Sequence, residues 1–324
     1  MSIRMHAPQN YEDYQVAYQF RPFARDLVMR AAVRPDERVL DIACGTGVVA
    51  RLIAPFVGST GSIIGLDLSP SMLAVARECA ETEGVVVDWR EGDATALPFD
   101  DASFDLALNQ QGLQYIPDKP AALREMRRIL APGGRAFVAT WAPLTENHVR
   151  EVVDRVAREH IGFSSLASRF GLGTAETLRA LMEAAGFAEV TSTPVELMLH
   201  FPSYTEWVRA TVAPDLAQLP TAEQEMTARA VEEKMRYDHR LATISTARRF
   251  AARRRRLSPR HLAKLDFPHL IGSEQTGCLQ SSLEDPASTR FLGIVRFAAF
   301  AQSDVFASTP GHRYATSLGA IENR

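Results

Sequence analysis

The stretch "VLDIACGTGVVARL", Val39 to Leu52, decides the fold. An apolar run ends in an acid. A loop of small residues follows, then apolar helix formers. Strand, glycine loop and helix start together make a nucleotide cradle, because a loop with little side-chain volume lets a ligand touch backbone. "GTGVVA", Gly45 to Ala50, matches the dinucleotide fingerprint G-x-G-x-x-G/A. Asp67 lies twenty residues beyond Gly47, where a ribose-binding acid belongs. Taken alone, the loop fits a nicotinamide dinucleotide.

Two further acids tilt that choice. Asp41 stands at the end of the first strand, just ahead of "ACGTG". A carboxylate there repels pyrophosphate and attracts a cationic amino-acid moiety, directly or through water. "EGDATALPF" places Asp93 after the third strand. Asp41, Asp67 and Asp93 thus recur once per βα unit, at the carboxyl ends of three consecutive strands, and such ends line one crevice in a doubly wound sheet. A ligand with an ammonium at one end, a ribose in the middle and adenine at the other can use all three. S-adenosylmethionine is such a ligand, and its positive sulfonium suits an acidic site.

The surrounding rhythm is α/β. "RVLDIA" and "SIIGLDL" read as strands. Ser69 and Pro70 then supply an N-cap and a first-turn proline, with Met72, Leu73, Ala76, Cys79 and Ala80 at helical spacing and Gly84 at the stop. "VVVDWREGD", "SFDLALNQQ" and "RAFVATWA" are the next strands, with the helix "KPAALREMRRIL" before "APGG". Alternating strands and helices predict a parallel sheet covered on both faces.

The motifs resemble those of the class I S-adenosylmethionine-dependent methyltransferases, in the broad group that includes the ubiquinone/menaquinone-biosynthesis C-methyltransferases and bacterial small-molecule methyltransferases. The resemblance lies in "VLDIACGTG" (39–47), "GLDLSPSML" (65–73), "EGDATALPF" (91–99), "SFDLALNQQGLQYIPD" (103–118) and "LREMRRILAPGGRAFVATW" (123–141). It implies a Rossmann-like, seven-stranded sheet of order 3-2-1-4-5-7-6, with strand seven antiparallel and helical lid insertions. It also implies that Gly45 and Gly47 offer backbone to the cofactor and that Asp41 organises its methionine end. Asp67 and Leu68 fall at ribose and adenine, Asp93 and Ala94 at the adenine edge, and Asn109 near the methionyl portion. Ala43 stands where many relatives have glycine.

Methyl transfer from a sulfonium is an in-line displacement that needs alignment and exclusion of water. A general base is needed only when the nucleophile must lose a proton. Catalytic candidates are therefore drawn from segments flanking the crevice: Tyr14, beside Tyr11 and Tyr18; Gln114, beside Gln110 and Gln111; and His148, with His160, in a lid. Trp141 is a candidate pocket wall. No metal-ligand spacing occurs.

The domain reading is an N-terminal helical lid (1–36), the cofactor-binding core (37–142), a helical lid insertion (143–172), completion of the sheet (173–202), a helical substrate-side segment (203–247) and an arginine-rich tail (248–324). "AEVTSTPVELMLHF" reads as two strands split near Thr193–Pro194. The tail, opening with "RRFAARRRRLSPR" (248–260), is not assigned to the core.

Composition sets bounds. The chain has 324 residues, 46% hydrophobic and 23% charged, with net charge −3. That balance is ordinary for a globular protein and argues against nucleic acid, apart from the basic 248–260 patch. There is no apolar run long enough for a membrane span and no secretory signal core. Cys44, Cys79 and Cys278 form no disulfide framework, so a reducing cytoplasm is expected. The expected partner is a small-molecule methyl acceptor, of aromatic, quinone-like or secondary-metabolite type; a homodimer is left open. The competing readings are a catalytically silent cofactor-bound interaction protein and an NAD(P)-dependent oxidoreductase.

Overall fold

A computed structural model describes residues 8–201, 207, 211–212, 215–216, 219–220, 223–234 and 291–304, with 148, 149, 160, 198, 200, 201 and 291–304 as backbone alone. Its seven strands are β1 (Arg38–Ile42), β2 (Ser62–Asp67), β3 (Asp88–Glu91), β4 (Phe104–Gln110), β5 (Leu130–Trp141), β6 (Ala188–Phe201) and β7 (Phe291–Asp304). They form one sheet in the order β3-β2-β1-β4-β5-β7-β6. The first five pair in parallel, and β7 runs antiparallel to both β5 and β6. Order and direction agree with the expectation.

The central strands read as continuous apolar runs because both faces of the sheet are covered. On one face Val39, Leu106, Leu108 and Phe137 pack with Ala24, Leu27 and Ile53. On the other, Leu40, Ala107, Ala136 and Val138 pack with Leu123, Met126, Leu178 and Met182. Each fully buried aliphatic side chain of this kind stabilises by about 1.5–3 kcal/mol.

At α4, α5 and α8 a short polar side chain satisfies a free backbone N–H at the helix start. α1 (Pro8–Asn10), a π-wound stretch (Tyr11–Phe20) and α2 (Arg21–Ala31) make the N-terminal segment. α3 (Val48–Val57) follows the glycine loop. α4 (Pro70–Glu83) starts on Ser69, whose hydroxyl accepts from the Met72 amide, and ends at left-handed Gly84. α5 (Lys119–Arg128) is capped by Asp118, which accepts from the Ala121 amide. α6 (His148–Ile161) and α7 (Leu166–Arg169) form the 143–172 insertion, and α8 (Ala175–Ala184) starts on the Thr174 cap. In the 203–247 segment the described residues 207, 211–212, 215–216 and 223–234 are helical.

Two expectations need correction. "AEVTSTPVELMLHF" is one strand, β6, and its register shifts between Thr193 and Val195. Pro194 lacks an N–H, and the ladder bulges around it instead of ending. Second, the sheet is not completed within 173–202. β7 comes from "FLGIVRFAAFAQSD", inside the supposed tail, and inserts between β5 and β6. The stretch 248–260, and with it the basic patch, lies outside the described residues.

Candidate active site

The crevice is built at the carboxyl ends of β1, β2 and β4. After Ile42 the chain takes left-handed conformations at Ala43 (φ +53°), Gly45 (φ +57°) and Gly47 (φ +80°). Ala43 thus occupies a position that glycine enters without strain, and an L-residue there costs about 1–2 kcal/mol. Strain of this kind concentrates at ligand sites. The loop is tied down from below. The Cys44 amide donates to the Leu66 carbonyl (3.0 Å), and the Gly47 amide donates to the Cys44 carbonyl (2.9 Å).

Asp67 joins two loops. Its Oδ2 accepts from the Gly45 amide at 2.7 Å and its Oδ1 from the Ser69 amide at 2.9 Å. Asp41 is buried, and its Oδ2 accepts from the Ala50 amide in the first turn of α3 at 3.1 Å. Burial pushes the Asp41 carboxyl up to about 8, and the nearby charge of Asp67 adds to the rise against the Ala50 bond. Asp93 is exposed; its Oδ1 accepts from the Thr95 amide and hydroxyl, each at 2.8 Å, which holds it below the usual carboxylate range. Ala94 is buried beside it. Leu68 leaves β2 with 70% of its surface exposed, an unusual state for a leucine at a crevice mouth.

The two glycines differ in their surroundings. A Cβ placed on Gly45 meets nothing within 4 Å. A Cβ on Gly47 would sit 2.2 Å from Cη2 of Trp89. The Trp89 indole also lies across Gly65, where an added Cβ would stand 2.4 Å from its Cζ3. Asp41, Gly65 and Trp89 are register partners across β1, β2 and β3, so all three side-chain positions share one face. Gly65 leaves the gap, Trp89 fills it, and Gly47 admits the ring edge. The space beside Gly45 is open, whereas that beside Gly47 is filled by the indole.

The Asn109 side chain is committed to the protein's own backbone. It is buried; its Nδ2 donates to the Ile42 carbonyl and its Oδ1 accepts from the Leu113 amide, both at 2.8 Å. The amide therefore clamps the end of β1 to the turn after β4, and it acts by position.

Unpartnered polar atoms gather beyond β4. Gln111 is buried with φ +48°, and neither of its amide atoms has a protein partner. The same holds for Gln110 Oε1, Gln114 Nε2 and Thr140 Oγ1. Gln110 Nε2 donates to the Phe20 carbonyl (2.9 Å), and Gln114 Oε1 accepts from the Trp141 amide (3.3 Å). Buried groups normally find partners, so these atoms are available to bond a ligand or water.

The N-terminal segment closes one side. Burial, reinforced by Tyr115, Glu12 and Asp67, drives the Tyr11 phenol well up, which places Tyr11 near both Asp67 and Tyr115. Tyr11 packs on Phe20 at 5.3 Å between ring centres. Tyr14 is half-buried in the same segment. Arg51 of α3, itself buried, pairs with Glu12 and with Glu83 of α4, latching the segment to the core. Trp141 is buried at the end of β5, in edge contact with Phe23 (6.1 Å) and stacked on Phe170 (5.2 Å). His148 is the first residue of α6; its side chain and that of His160 lie outside the described residues. Burial pushes the Cys44 thiol up, so it is neutral and not a nucleophile. Among the described residues no His, Cys, Asp and Glu cluster could hold a metal, and no helix is long and apolar enough to cross a membrane.

Tyr115 and Arg150 are residues beside the crevice that the sequence reading did not single out. Arg150 carried one signal: it falls on the apolar stripe of α6 with Val153 and Ala157, where a charge is out of place.

Comparison with known proteins agrees with this geometry. A methyltransferase-domain family profile matches residues 39–134. A 2-phytyl-1,4-naphtoquinone methyltransferase of Synechococcus elongatus is 40% identical over 141 residues, 42% of this chain and 60% of that protein. The chain thus spans well under two thirds of that relative's length. A ubiquinone/menaquinone biosynthesis C-methyltransferase UbiE of Xylella fastidiosa is 40% identical over 182 residues, 52% of this chain and 72% of that protein. The crystal structure of the YcgJ protein of a Bacillus shares the fold, with TM-score 0.52, 20% identity and coverage of 88% of this chain and 98% of that one.

Proposed function

The chain belongs to the class I S-adenosylmethionine-dependent methyltransferases, and on that premise we propose that it methylates a small-molecule acceptor held beneath the N-terminal segment and the 143–172 insertion. The observation that carries this reading is the buried Asp41 close to Asp67, which holds the Gly45 loop, with Asp93 in the loop that follows the neighbouring strand β3. The Asp67 carboxylate and the Asp41 carboxyl, which a cation would ionise, disfavour a pyrophosphate and suit a cation, so the nicotinamide reading is set aside. The buried acid fits as well: Asp41 is raised to about 8, and a cation beside it restores the charged form.

S-adenosylmethionine, when bound, supplies an electrophilic methyl group. The residues of this chain do the rest. Asp41 faces the ammonium, Asp67 accepts from ribose hydroxyls while bracing the Gly45 loop, and Asp93 with Ala94 meets the adenine edge. Leu68 covers the base with apolar surface. Asn109 fixes the turn that carries Leu113 and Gln114. Gln110, Gln111 and Gln114 orient the acceptor through their unpartnered amide atoms. Tyr11 and Tyr14 exclude water from above, and holding acceptor and methyl in line can supply up to roughly 7–11 kcal/mol of the acceleration. His148, at the start of α6, is the candidate base for an acceptor that must lose a proton.

The named relatives act on quinones, which supports an aromatic or quinone-like acceptor with oxygen, nitrogen or activated carbon as the nucleophile. A cytoplasmic setting fits the free thiols of Cys44 and Cys79. The test is incubation of the full chain with methyl-labelled S-adenosylmethionine and a panel of quinols, phenols and amines. Label transfer to an acceptor, with S-adenosylhomocysteine formed in equal amount, is expected. Tight cofactor binding with no transfer to any acceptor class would favour a catalytically silent protein instead.

A further inference from the structure

α6 buries a guanidinium that has no carboxylate partner among the described residues. Arg150 is only 4% exposed. Its guanidinium donates to the Gln19 side-chain oxygen, its Nε has no partner, and its central carbon stands 5.2 Å from the centre of the Trp141 ring and 5.3 Å from that of Phe170. Ring faces compensate only part of the hydration that a buried cation loses.

The charges around it do not balance. Arg169 is close enough to oppose the charge on Arg150, and only Tyr115 favours it. The buried carboxylate nearby, Asp215, serves Arg169: its Oδ2 stands 3.9 Å from Arg169, and its Oδ1 accepts from the Ser165 amide at 2.7 Å. Among the described residues, no carboxylate pairs with Arg150. Accordingly, burial and Arg169 pull the Arg150 guanidinium down to about 9, far from its ordinary range. Proteins leave a buried cation unpaired where a ligand completes the pair.

The cation lies where the N-terminal segment, the end of β5 and the 143–172 insertion meet. Gln19 belongs to the N-terminal segment, Trp141 ends β5, Tyr115 follows β4 and Phe170 follows α7. The orphaned amides of Gln111 and Gln114 and the Thr140 hydroxyl sit at the same strand ends. Phe20 and Phe23 flank Trp141 at 5.8 Å and 6.1 Å, so the lining is aromatic apart from the guanidinium and the amides.

We infer that Arg150 anchors an anionic acceptor, a planar aromatic carboxylate, against Trp141 and Phe170 under the lid. The inference rests on the methyl-transfer reading of the crevice and narrows its substrate class. Such a pair is charge-assisted and two-pronged, and it fixes one end of the acceptor while the rest of the ring is aligned. A neutral quinone-like molecule would leave the guanidinium as unpaired as it is now.

The test uses the full chain saturated with S-adenosylhomocysteine and two probe pairs: benzoate with benzamide, and 1-naphthoate with 1-naphthamide. Binding is read by calorimetry and ligand-observed magnetisation transfer. Each acid is expected to bind at least about tenfold more tightly than its amide, the equivalent of about 1.4 kcal/mol. In Arg150→Gln that preference disappears, and Arg150→Lys, which keeps the charge without the fork, retains part of it. Equal binding of acid and amide, no binding of either, or an acid preference that survives in Arg150→Gln overturns the inference. Titration with S-adenosylhomocysteine comes first. A wild-type chain that fails to bind it removes the methyl-transfer reading; one that binds it without acid preference removes the role of Arg150 alone.

Discussion

Alanine at Gly47 and alanine at Gly45 should fail in different ways. Both positions are left-handed, so each substitution strains the backbone by about 1–2 kcal/mol. At Gly47 the new methyl also lies 2.2 Å from the Trp89 ring, inside any tolerable contact, and the indole is pinned across Gly65. Overpacking of that kind typically adds about 1–3 kcal/mol. Gly47→Ala should therefore destabilise by roughly 2–5 kcal/mol, a large share of a domain's usual 5–15 kcal/mol. At Gly45 the methyl meets no protein atom, so strain alone remains, but it enters the space reserved for the cofactor. Gly45→Ala should lose about 1–2 kcal/mol of stability and most of its affinity for S-adenosylmethionine. The assay is urea unfolding of both variants beside calorimetric titration with S-adenosylhomocysteine. A double-mutant cycle with Trp89→Leu should show coupling for Gly47 and none for Gly45. Equal unfolding midpoints for the two variants, or unaltered affinity in Gly45→Ala, would refute the division of work between the glycines.

Further expectations follow from the same geometry. Asp41 has a folded value near 8 against 3.8 unfolded. Its contribution to ligand-free stability is complete below about 3.8 and is lost as pH rises toward 8. A cation bound beside it should release protons near pH 7, seen as binding heats that depend on the buffer's ionisation enthalpy. Asp41→Asn should abolish that dependence, and buffer-independent heats in the wild type would contradict the assignment. Asn109→Ala strips partners from the Ile42 carbonyl and the Leu113 amide, at about 1–3 kcal/mol each. Unfolding in urea should register the loss, and a change below about 0.5 kcal/mol would mean that the clamp is idle. Arg51→Met unlatches Glu12 from the core, so protease cleavage within 8–31 should quicken while S-adenosylhomocysteine slows it again; an unchanged rate would show that other contacts hold the segment.

What the sequence disclosed follows from locality. β1 to β5 and their helices were legible because each announces itself within a few residues, through an apolar run, a cap such as Ser69 or Asp118, or a breaker such as Gly84. The three acids were legible for the same reason, since each ends a recognisable strand. β7 was not, because its partners β5 and β6 are distant in the chain and nothing local says which strands will accept it. Pro194 read as a break, since only the β6–β7 register shows that the ladder can bulge around it. The pairing of Gly47 with Trp89 depends on the row Asp41–Gly65–Trp89, which exists only after three strands align. Arg150 was not singled out, because its burial and its lack of an acid partner among the described residues are properties of the packed lid.

The central claim is that the acids around Gly45 grip a cationic methyl donor. Calorimetric titration of the full chain with S-adenosylmethionine, in wild type and in Asp67→Ala, tests it most directly. The account predicts one saturable site in the wild type and a loss of affinity of at least about tenfold in the variant. Equal affinity in both, or saturable binding of NADH in place of S-adenosylmethionine, would contradict it.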